Sequence, residues 1–135
     1  MTRRKIFVQA VILFFAAFFC TMTAHAQIQT CTGTGEYLMV NETIADAKKQ
    51  AKLSAERAAL EQVCVYVQSR LEAKDFQLET DEIITIAVGI LRIVDTKFSM
   101  TDESNGTLIK AVVTAEIDVD ELNTLLERET KNHKE

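Results

Sequence analysis

The run TIADAKKQAKLSAERAALEQVCVYVQSRL, from Thr43 to Leu71, decides the fold of this chain. It holds neither glycine nor proline, the residues that most often break a helix, and its apolar positions recur at helical spacing. Asn41 or Thr43 supplies the cap, and Asp46 sits favourably near the positive end of the helix dipole. At about 100° per residue, Ile44, Ala47, Ala51, Ala55, Ala58 and Val65 form one stripe, while Leu53, Leu60, Cys64, Val67 and Leu71 gather opposite. A helix with two apolar faces needs two covers. The alanines permit close approach to a sheet, so the leucine face asks for a second layer.

Upstream, Thr32 to Val40 reads as a strand, with Cys31, Gly33, Gly35, Tyr37 and Met39 on one side. That side is small at Gly33 and Gly35, which seats a helix closely over the strand. Gly33-x-Gly35 is not a dinucleotide fingerprint, because Leu38 stands where the third glycine belongs. Downstream, the apolar run from Ile83 to Leu91 has no decisive period, but the acidic entrance at Thr80, Asp81 and Glu82 suits a short helix over the leucine face. Gly89 is then a close crossing point. Ile93 to Thr101 and Leu108 to Val119 form a hairpin around Ser104-Asn105-Gly106-Thr107. Ile109, Ala111, Val113, Ala115, Ile117 and Val119 alternate with polar residues in its second strand, and Val94, Phe98 and Met100 face inward in its first. Asp118 caps a last helix with Leu122, Leu125 and Leu126 as its contact stripe. The expected fold class is α+β: a small antiparallel sheet of about three strands on a long two-faced helix, in the order β-α-α-β-β-α.

The first 26 residues belong to a different chemistry. Arg3, Arg4 and Lys5 precede an apolar stretch from Ile6 to Phe19, and Ala24-His25-Ala26 places small residues at the −3 and −1 positions before Gln27. This is the pattern of an export signal cut between Ala26 and Gln27. The apolar stretch is shorter than the ~20 residues of a spanning helix, so no stable membrane span is expected after cleavage. Cys20 is a poor lipid acceptor, because bulky Phe19 precedes it. The organisation is therefore a leader at 1–26, one domain at 27–127 and a frayed charged tail at 128–135. Of the 15 basic and 20 acidic residues in the 135-residue chain, the leader holds three basic and no acidic ones, so removing it takes the formal charge from −5 to −8. An acidic domain with no basic stripe is not a nucleic-acid binder.

The mature chain has a single histidine, His133, and two thiols, too few for a zinc site without recruited carboxylates. No catalytic, metal or cofactor residue is assigned, and Glu56, Glu61, Asp81 and Glu82 read as solvated helix positions. Cys31 and Cys64 stand out in an exported protein. Strand and helix leave the same turn near Asn41, so both sulfurs lie roughly 30 Å from it if the elements are antiparallel. Their directions differ, however, and three readings stay open: a disulfide, two buried free thiols, or a redox or intermolecular role. The sequons at Asn41 and Asn105 coincide with a helix start and a turn, where Asn has backbone reasons to stand.

Gly33-Thr34-Gly35-Glu36-Tyr37, Asn41, the Ala47/Ala51/Ala55 spacing, Ala59 to Val67, and Leu78 with Asp81-Glu82-Ile83 before Gly89-Ile90-Leu91 together carry a resemblance. From about Thr32 to Val119 the chain resembles the N-terminal module of the flagellar assembly protein T family and the related LPP-type envelope lipoproteins. Cys64 stands where that family commonly has glycine. The resemblance implies a module of the bacterial periplasm or outer envelope, engaged with envelope proteins or with itself in building a flagellar or outer-membrane structure. The expectation is a non-enzymatic protein-binding module; the alternative is a periplasmic binder of a small apolar or cell-wall ligand, held between sheet and helix.

Overall fold

The computed structural model describes residues 26–135. Three strands and three helices follow in the order β1 (Ile28–Met39), α1 (Ile44–Ala73), α2 (Thr80–Ile90), β2 (Arg92–Glu103), β3 (Gly106–Asp118) and α3 (Val119–Asn132). The sheet is antiparallel with β3 in the middle, flanked by β1 and β2. The architecture is the expected α+β one, and the export leader lies on residues outside the described ones save for Ala26. Ala26 and Gln27 are exposed just before β1, and the Gln27 carbonyl accepts a hydrogen bond from the Val119 N–H at 2.9 Å.

Helix α1 starts at Thr43, whose Oγ1 accepts from the Asp46 N–H at 3.2 Å. It stops in a Schellman arrangement: Asp75 adopts φ 55, the Phe76 N–H bonds to the Leu71 carbonyl at 3.1 Å, and the Asp75 N–H bonds to the Glu72 carbonyl at 3.0 Å. Phe76 then packs onto the core that contains Leu71.

The buried residues of α1 are Ala47, Ala51, Ala55, Ala59, Val63, Val67 and Leu71, at an unbroken spacing of four. Four residues overshoot one turn by about 40°, so such a stripe winds around the helix. This corrects the two fixed faces expected from sequence. The alanine and leucine sides are the two ends of one winding stripe, while Ile44, Leu53 and Val65 are exposed at 49%, 49% and 65%. The alanine end meets Ile109, Ala111 and Val113 of the sheet. The valine and leucine end meets Ala87 and Ile90 of α2, Leu122 and Leu126 of α3, and Ile117. The expected cover over the leucine side is therefore present, supplied by α2 and α3 together.

Gly33 and Gly35 are what let α1 lie against β1. A Cβ at Gly33 would run into the Ala55 carbonyl and stand 2.6 Å from the Ala59 nitrogen. One at Gly35 would strike the Ala51 carbonyl and the Ala55 nitrogen. These are backbone atoms of a packed helix, which cannot swing aside.

Gly89 does not have the role expected of it, since among the described residues nothing lies within 4 Å of where its Cβ would be. Helix α2 instead turns Ala87 and Ile90 inward and leaves Gly89 on its outer side. The charged end also differs from expectation. Helix α3 continues through Asn132, so most of the stretch read as a frayed tail is its closing turns. His133 Nε2 lies 3.1 Å from Glu82 Oε1, and the Glu82 Oε2 accepts from the Glu79 N–H at 3.0 Å. One carboxylate thus ties the end of α3 to the start of α2.

Candidate interaction face

The register shows which β2 residues share the helix-side face. Ile93 is opposite Ala115, Thr96 opposite Val113, Phe98 opposite Ala111 and Met100 opposite Ile109. Each β3 partner is buried, yet on β2 Ile93, Phe98 and Met100 are exposed at 37%, 39% and 53%. Phe98 and Met100 therefore face inward as expected but are not covered. Val94 departs further: it occupies the register shift between Ile93 and Asp95, where the pairing skips a residue, and is 48% exposed.

The reason is width. A helix with its side chains is about 10 Å across, and neighbouring strands lie about 4.8 Å apart, so one helix covers two strands. The glycine bed draws α1 over β1 and β3, and the apolar face of β2 is left over. Lys48 of α1 reaches across, with its Nζ 5.4 Å from the Phe98 ring centre. Lys48 has no carboxylate within ion-pair distance among the described residues, whereas Lys52, one turn on, meets Glu56 at 3.6 Å.

The two sheet edges are treated differently. On β1 the Gln62 side chain donates to the Thr32 carbonyl at 2.7 Å, which occupies an acceptor of the edge. On β2 only the irregularity at Val94 and the outward pair Lys97–Asp95, at 3.7 Å, interrupt the edge. A second uncovered apolar surface is the outer side of α2, where Ile84 and Val88 are 42% and 57% exposed beside Gly89.

Cys31 and Cys64 are both free thiols, half-buried against the same core. The antiparallel run of β1 and α1 does bring them to one end. Cys31 lines a cavity of about 180 Å³ with Gln62, Val63 and Tyr66, and Cys64 is not part of that lining. Burial raises both thiols above their ordinary pKa, and the charge of Glu61 adds to the shift at Cys64.

At the far end of β1 the Tyr37 hydroxyl donates to Glu42 Oε1 at 2.9 Å, while Glu42 Oε2 accepts from the Val40 N–H at 3.1 Å. The backbone bond from Val40, followed by the Tyr37 bond, lowers the Glu42 carboxyl, and the Tyr37 hydroxyl is raised by its bond to Glu42.

The contact between α1 and the sheet is closed by the alanines and glycines. Toward the start of β1 the contact opens into the cavity of about 180 Å³ at Cys31, between Ile117 of the sheet and Val63 and Tyr66 of α1, and other depressions lie away from it, among them one of about 280 Å³ bordered by Leu71, Phe76 and Leu78 and a shallow one of about 410 Å³ beside Val65. No three His, Cys, Asp or Glu side chains converge among the described residues. No helix among them is long and apolar enough to cross a membrane. No protein-family model matches the chain, and no curated protein matches it.

Proposed function

We propose that this chain is an exported, non-catalytic module of the bacterial envelope that works by binding protein through the β2 side of its sheet. The observation that carries this reading is the pair Phe98 and Met100, apolar and on the core-facing side of the sheet, yet exposed at 39% and 53%. Apolar side chains in that position gain free energy when another surface removes them from water, about 25 cal/mol per Å². Export is supported by the basic, apolar and small-residue order of Met1 to Ala26, and by a first strand that begins one residue beyond Gln27.

The test is a photo-crosslinking residue placed at Met100, with one at Thr114 on the opposite face of the sheet as control, in cells fractionated before analysis. A discrete crosslinked product from position 100 in the envelope fraction, absent from position 114, is the expected result. Equal or no crosslinking at the two positions overturns the reading, and recovery of the full-length precursor in the cytoplasm overturns the export half of it.

A further inference from the structure

Resting on that reading, the partner itself follows from a complementarity within the molecule: we infer that the uncovered β2 face receives the outer side of α2 from a second copy of this chain. The uncovered face of β2 runs from Ile93 through Thr96 to Phe98 and Met100, roughly 23 Å of strand. Helix α2 spans 11 residues, roughly 16 Å, so its whole length fits on that face. Its outer side carries Ile84 and Val88 one turn apart, both exposed, with Gly89 beside Val88 open to close approach by another backbone. A glycine inside an exposed helix is less favourable than alanine. Among the described residues, nothing lies within 4 Å of the place of its Cβ.

Charge points the same way. Lys48 overhangs Phe98 and has no ion-pair partner among the described residues. Helix α2 begins with Asp81 and Glu82 and contains no lysine or arginine, and Asp81 is exposed on the side of Ile84 and Val88. A neighbour's α2 laid along β2 thus brings an acidic end to the unpaired lysine as its apolar side covers Phe98 and Met100. Within one copy the two surfaces do not serve each other, because α2 has its other side committed to α1 and α3. Each copy therefore presents one donor surface and one different acceptor surface, and used head-to-tail this contact builds rings or filaments.

The contact is tested by complementation between two variants of the full chain, each purified after expression in cells and measured by light scattering over a range of concentrations. Val88→Lys destroys the donor surface and Met100→Lys the acceptor. Both positions are exposed, so both variants keep the wild-type circular dichroism. Wild type is expected to grow beyond a dimer as concentration rises, each variant alone to stay monomeric, and an equimolar mixture to form a one-to-one dimer and nothing larger. Lys48→Glu and Asp81→Lys are each expected to weaken assembly several-fold, and their combination in one chain to restore it. Val88→Lys assembling like wild type, a mixture that stays monomeric, or a wild type monomeric throughout overturns the inference. If the wild type stays monomeric while the Met100 crosslink in cells reaches a different protein, the self-contact fails and the binding role of the face stands.

Discussion

The strands on either side of β3 have the same length and opposite fates. β1 lies under α1 so tightly that Gly33 and Gly35 are buried with no room for a methyl group, and Gln62 occupies its edge at Thr32. β2 bears Phe98 and Met100, no larger than Tyr37 and Met39 on β1, yet α1 leaves them in water. The two glycines of β1 seat the helix, and Tyr37 and Met39 of the same strand are packed with it, while β2 has no such bed. The depth of contact between a helix and a sheet is set by backbone approach, so hydrophobicity summed along a strand does not predict which strand is covered.

The comparison breaks most easily at Gly33. Gly33→Ala is expected to cost about 3 kcal/mol or more, the upper end of what overpacking a core does, because the methyl group meets helix backbone at Ala55 and Ala59. Denaturant unfolding reads this directly, and a loss under ~1 kcal/mol means that α1 can ride up on the sheet. Gln62→Ala removes a single side-chain bond to the β1 edge, for which about 0.5–1.5 kcal/mol is expected in the same assay. Met100→Lys on the other flank changes an exposed side chain and is expected to stay within about 0.5 kcal/mol of wild type. A larger loss there shows that β2 already shares the monomer's core.

Thiol chemistry sharpens the contrast. Cys31 stands on the covered strand, and burial raises its pKa, so it holds less thiolate at pH 8 than an unhindered cysteine. Native protein is expected to alkylate slowly at Cys31 and Cys64 and fully once unfolded, whereas Met100→Cys adds a thiol that reacts at once. Equal rates at the two strands contradict the burial difference. The smallest effect sits where β1 ends. Glu42 has its carboxyl lowered by the Val40 and Tyr37 bonds, so its contribution is present above the ordinary carboxylate range and is lost as pH falls through its own lowered value. In a Tyr66→Phe background, Tyr37 is expected to ionise above the ordinary tyrosine value of ~10, and Glu42→Gln to bring it down.

Much of the fold is legible in local signals. Thr43 caps α1 and Asp118 caps α3 because each offers an oxygen to free N–H groups one turn ahead. Ser104-Asn105 turns the hairpin between Glu103 and Gly106, a tighter loop than the four residues expected. Gly33 and Gly35 announce a close helix by what they lack. Other features are not local. A helical wheel projects α1 onto one circle and splits its winding stripe into two faces. Gly89 reads as a crossing point in sequence, and only the placement of α2 shows that its open side looks outward. His133 belongs to the fold through Glu82, 51 residues away, which no window on the charged end reveals.

The sequence by itself determined the elements and their order, because caps, unbroken helix-forming runs and turn residues act over a few neighbours. It determined as well that one helix must lie on glycine. Only the tertiary structure decided that β3 is central, that the stripe of α1 passes from the sheet to α2 and α3, and that β2 is the strand left uncovered. These follow from the width of a helix against the spacing of strands and from the angle at which α1 crosses them, quantities that exist only once the chain has packed.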